Sequence, residues 1–93
     1  MEPLYNPQLY GTTIANEIET MGARAVAIAN RWAMGSPETV MALLVAREFT
    51  PKLREQNERE LDVLAEETGM RHLSPTEILT VHGVELGPPS PTR

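Results

Sequence analysis

Two histidines and a run of carboxylates are the side chains of this 93-residue chain whose types could do chemistry. His72 and His82 are ten apart, one in a connector and one near a helix end. A histidine can shuttle a proton at neutral pH or ligate a metal, but no Asp or Glu stands at ligand spacing on the same helical face. Both read as surface or capping residues. Glu55, Glu58, Glu60, Asp62, Glu66 and Glu67 could in principle pair as acid and base or gather a divalent cation. Arg54 and Arg59 are interleaved with them and little apolar sequence surrounds them, so the pattern predicts a solvated acidic face. There is no cysteine, hence no thiol nucleophile, thiolate zinc site or disulfide. Ser36, Ser74 and Ser90 are accounted for as helix caps or tail, and no Gly-rich phosphate loop, GxSxG or HExxH motif occurs. The expectation is a protein that is not an enzyme and carries no metal or cofactor.

Charge and hydropathy narrow the partners. The net charge is −5, and the segment from Glu55 to Glu67 alone carries six acids against Arg59. An acidic chain with one lysine, Lys52, offers little basic footprint for displacing counterions from phosphates, so the composition argues against nucleic acid as a partner. The longest apolar run, VMALLVA from Val40 to Ala46, is far short of the ~20 residues of a membrane span. MEPLYNPQLYG has neither the basic nor the apolar region of a secretory leader. These signals predict a cytoplasmic protein with no membrane partner, or a virion-associated one if the gene is from a phage. Seven arginines to one lysine, with abundant alanine, point to a GC-rich prokaryotic or phage gene.

The elements follow from punctuation and period. Residues 1–12, with Pro3, Pro7 and Gly11, read as an extended arm carrying Leu4, Tyr5, Leu9 and Tyr10. With Thr12 or Thr13 as cap, a helix is expected over 13–34, its apolar residues falling at 14, 18, 21, 25, 28 and 32 in a heptad-like seam. Gly22 lies inside it. Ala15, Gly22 and Ala29 are seven apart beside the seam, so Gly22 either admits a second helix closely or breaks the helix in two. GSPE at 35–38 offers an αL glycine, a cap, a first-position proline and an acid for the helix dipole. It opens a second helix over 37–49, apolar nearly all round and expected at the centre of the core. Thr50 and Pro51 start a third over 51–68, thinly striped by Leu53, Leu61 and Leu64, with Asn57 where leucine would complete the pattern. Ser74, Pro75 and Glu77 form a capping box for a short helix over 75–82, and 84–93 reads as a proline-rich tail without packing of its own. The fold expected is all-α, a small bundle of three to four helices forming one domain over 13–83, with an extended N-terminal arm and a Pro-rich C-terminal tail.

LAEETGMRHLSPTEIL resembles the first helix and turn of a DNA-binding helix-turn-helix, with Ala65 and Gly69 four apart as small residue and turn glycine. The resemblance implies a DNA-binding regulator. It departs from the pattern because the next helix starts late and TEILTVH lacks the Arg, Lys, Asn or Gln that read bases. The reading favoured by the residues is a non-catalytic interaction protein, a structural or adaptor component of a homo-oligomer or larger assembly. Its candidate interface is Tyr5, Tyr10, Ile18, Gly22, Ala25, Ala29 and Trp32, since aromatic residues are enriched at binding hot spots. The alternative is a small inhibitor or immunity-like protein whose acidic helix docks on a basic site of another protein.

Overall fold

The computed structural model describes residues 2–66, 69 and 72–92, and within them the chain is all-helical, with no strand. A 3-10 turn at Pro7–Leu9 leads into α1 (Gly11–Met21), α2 (Ala23–Gly35), α3 (Pro37–Val45), α4 (Phe49–Glu66) and α5 (Pro75–Val81). Five helices therefore replace the expected three to four.

The extra helix comes from Gly22. Its backbone sits at φ 108° and ψ −178°, a region that essentially only glycine occupies, and the chain changes direction there between α1 and α2. A β-carbon on Gly22 would meet nothing within 4 Å. The glycine is thus a hinge between two helices, and the close-packing alternative fails because no neighbour fills the space. The seam itself runs on across the break: Ile18, Ala25, Ile28 and Trp32 are all buried, with Ile14 and Met21 packed at the edge.

Other boundaries shift for local reasons. Helix α1 begins at Gly11, ahead of both threonines. Gly35 stays helical and Ser36 makes the corner, with φ −145° and no side-chain capping bond, so neither residue plays its expected part. Helix α3 stops at Val45, short of Phe49, because Arg47 adopts φ 60° and the amides of Arg47 and Glu48 turn back to the carbonyls of Leu44 and Leu43. Helix α4 then starts at Phe49, which puts Thr50 inside it and Pro51 in the first turn, where a missing N–H costs nothing. The capping box at Ser74 and Glu77 forms as expected, the Glu77 amide bonding to Ser74 Oγ at 3.2 Å and the Ser74 amide to Glu77 Oε1 at 3.0 Å.

The centre of the core is α2 and not α3. Seven of the thirteen residues of α2 are buried, and it packs on α1, α3 and α4. Helix α3 buries only Val40 and Leu43, leaving Met41 and Val45 in solvent. At the middle of the bundle Phe49 meets the Trp32 ring edge-on at 6.0 Å between centroids and the tilted Tyr10 ring at 5.1 Å. The Tyr10 hydroxyl is buried without a hydrogen-bond partner among the described residues, and burial pushes its pKa up to about 12 from 10.0.

Both chain ends pack. The Tyr5 amide donates to Asn30 Oδ1 at 2.7 Å, and Asn30 Nδ2 donates to Glu2 Oε2 at 2.8 Å and to the Pro3 carbonyl at 2.9 Å. Asn30 is buried, so the arm satisfies a polar group that α2 would otherwise bury unpaired. The tail, expected to lie free, is bonded to α2, α4 and the turn between α3 and α4.

Two outcomes follow from Gly22 and Tyr10. Gly22→Ala and Gly22→Leu are each expected to lower unfolding free energy by about 1–3 kcal/mol, the backbone strain of that φ and ψ. Urea denaturation should place the two within about 0.5 kcal/mol of each other, since space is open, whereas a crowding role would make leucine far worse. Because the unfolded chain gives up the Tyr10 proton at lower pH than the folded one, stability is expected to fall as pH rises through the 10 to 12 interval. Tyr10→Phe should remove that share of the fall, seen by comparing urea midpoints across the interval. At neutral pH it should change stability by no more than about 1 kcal/mol, the hydroxyl having no partner to lose.

Candidate functional site

The polar centre of the molecule is Glu60, whose side chain is 0% exposed although it belongs to the most acidic stretch of the sequence. Its helix places it there. Leu53, Gln56, Asn57 and Glu60 fall on one stripe of α4 at helical spacing, and that stripe faces α2. Across the interface Arg24 and Arg31, seven apart, lie on one face of α2. Arg31 forks onto the carboxylate, with Nη2 to Oε2 at 2.6 Å and Nη1 to Oε1 at 3.4 Å. Arg24 Nη1 stands 3.7 Å from Oε1, and Gln56 Nε2 donates to Oε2 at 2.7 Å. Both carboxylate oxygens are answered, as a buried charge requires.

Holding Glu60 also aims its partners. With Nη1 and Nη2 of Arg31 fixed on the carboxylate, its Nε points outward and donates to the Leu86 carbonyl at 2.8 Å. Trp32 Nε1 donates to the same oxygen at 3.1 Å, and Gln56 Nε2 reaches the Glu85 carbonyl at 2.8 Å. Three side-chain donors from two helices converge on two consecutive backbone carbonyls. Farther along, the Thr92 amide lies 3.0 and 3.2 Å from the two Glu48 carboxylate oxygens, and Thr92 Oγ1 donates to Oε1 at 2.5 Å. The arrangement can do one thing well: clamp an extended backbone against α2 and α4.

The residues singled out by sequence divide accordingly. Tyr10, Ile18, Ala25, Ala29 and Trp32 are together in the chain's own core, Gly22 is the hinge, and Tyr5 is the exposed member of the set. Burial against α1 and α4 takes up the seam, so the greasy face read as a meeting surface is covered from within. Among the acids, Glu55, Glu58, Asp62 and Glu66 are exposed on α4, while Glu60 points the opposite way. Glu67 lies outside the described residues, as do parts of the helix-turn-helix-like turn around Gly69. His72 is exposed and His82 caps the C-terminus of α5. The sequence reading missed Glu60's orientation together with Arg24, Arg31 and Gln56. The signal was available: the stripe from Leu53 continues through Gln56 and Glu60, and two arginines share a face of the most apolar helical seam.

Shallow concavities lie on the surface of the bundle. The one bordered by Gly22, Arg24, Leu61 and Leu64 measures about 660 Å³, and another between the arm and α1, bordered by Pro7, Thr12 and Ala15, about 510 Å³. Among the described residues, no group of three or more His, Asp or Glu is placed to hold a metal, and no helix is long and apolar enough to cross a membrane. No family model matches the chain, and neither a curated protein nor a solved structure matches it.

Removing the carboxylate leaves two partly exposed arginines without their buried partner. Glu60→Leu is expected to cost about 1–3 kcal/mol of unfolding free energy, the loss of charge-assisted hydrogen bonds to arginines that water can partly reach. Pairing it with Arg31→Met should recover part of that loss, and a thermodynamic cycle from urea unfolding gives the coupling directly.

Proposed function

We propose that the chain is a non-catalytic interaction protein that associates with a second copy of itself through α3. The observation that carries this reading is the outer face of that helix. Glu38, Met41, Ala42 and Val45 recur at helical spacing, all exposed, with Met41 at 45% and Val45 at 79%, while Val40 and Leu43 point inward. An isolated exposed apolar residue is ordinary; three on one short helix face are a patch that water would give up readily.

Charge selects the partner. Glu38 lies in the first turn of α3 and Arg47 just beyond its end, and both are exposed. Neither has an ion-pair partner among the described residues. Two copies of α3 crossing antiparallel about a two-fold axis bring Glu38 of one toward Arg47 of the other, twice. The midpoint of that pairing falls at Ala42, the smallest residue of the face, where the helices can approach closely. Antiparallel pairing also sets the helix dipoles head to tail. A two-fold contact of this kind is self-complementary and closes. The patch is small, so the pairing is weak, with a dissociation constant of about micromolar or higher.

Sedimentation equilibrium tests this. Val45→Glu is expected to weaken association by about tenfold or more. Glu38→Lys and Arg47→Glu should each weaken it at low salt, and the double charge swap should restore it. A chain that stays monomeric up to about millimolar concentration rejects the reading.

A further inference from the structure

The segment seated on α2 and α4 is held by its backbone more than by its side chains. Glu85, Gly87, Pro89, Ser90 and Thr92 are exposed, and the contacts at the near end fall on the carbonyls of Glu85 and Leu86. Pro88, Pro89 and Pro91 have no N–H, so the segment offers an excess of acceptors and little freedom to lose. The groove offers the complement: an indole N–H, a guanidinium N–H and a carboxamide, each oriented by α2, α4 or Glu60. Trp32 is buried and its N–H is answered by Leu86, so the groove requires a carbonyl whichever chain supplies it.

We propose that this groove is a binding site for an extended, proline-rich peptide, filled in cis by residues 85–92, and that its occupant in trans is the same segment of a second copy. Seating between ends supports this. Beneath the middle of the segment a cleft of about 150 Å³ remains between Lys52, Gln56 and Arg59 of α4 and Gly87 and Pro89 of the tail. The segment swings from Gly83, at φ 74°, whose amide and that of Val84 close the end of α5 on Thr80 and Leu79. Rotation there frees the whole segment at the cost of the single Val84 amide bond to α5 and leaves the other helices as they are. Cis and trans seating then use identical contacts, and concentration decides between them. The exchange uses a surface separate from the outer face of α3 and does not depend on that pairing.

The absence of cysteine allows a clean test on full-length protein carrying Val45→Glu, which removes the α3 contact. One chain carries Lys52→Cys beside the groove, a second carries Ser90→Cys on the segment. They are mixed and joined at high concentration with a short bis-maleimide. A chain bearing both cysteines should close on itself at low concentration. The mixture should give a mixed cross-linked dimer about tenfold above a control pair of Glu17→Cys on α1 with Ser90→Cys, and unlabelled chain should compete it away. Internal closure with a mixed yield no higher than the control overturns the exchange. Failure of internal closure overturns the seating itself.

Discussion

A carboxylate caught between two packed helices must be answered on each oxygen, and the way Glu60 is answered fixes much of this molecule. Arg31 and Gln56 reach it at 2.6 and 2.7 Å from opposite sides of the α2 and α4 interface. Isolated, such a group would be a poor stabiliser, since desolvation offsets most of the attraction. Its effect here is geometric. An arginine forked onto a carboxylate through both terminal nitrogens has its plane fixed, so its Nε–H has one direction to point, and a glutamine that gives one amide hydrogen to the same carboxylate presents the other elsewhere. The two helices thereby acquire a register relative to each other and a row of aimed donors along the seam between them.

That row turns a proline-rich stretch with little capacity for burial into part of the structure. Such a stretch gains little from the hydrophobic effect, and its ordering has to be offset by hydrogen bonds that water would otherwise supply. The same logic works at the other end of the chain, where Asn30 commits its whole amide to Glu2, Pro3 and Tyr5. One helix, α2, therefore organises both flanks, with Asn30, Arg31 and Trp32 in succession turning three adjacent side chains toward arm, carboxylate and tail.

What could be read from the sequence was whatever depends on neighbours in sequence. The seam from Ile14 to Trp32, the capping box at Ser74 and the first-turn prolines Pro37 and Pro75 are local, and they appear where expected. The seam's continuity also concealed the hinge, because the apolar spacing carries on through Gly22 as though the helix did. Glu60 was lost in its surroundings: a charge among five other acids looks solvated until the facing helix is known to carry two arginines on one face. The tail was misjudged for the same reason. Its composition describes what it cannot bury, and nothing in it says that donors twenty-nine to fifty-five positions earlier are waiting for its carbonyls.

Those separations have a consequence for how the chain comes to be folded as it is made. Trp32 and Arg31 are made 54 and 55 residues ahead of Leu86. Until then the α2 and α4 pair carries an unanswered indole and a half-used guanidinium at its surface, wetted or borrowing acceptors from elsewhere. Seating of the tail is thus the last step in vectorial synthesis, and until the stretch after α5 arrives the donors that await it are met by water.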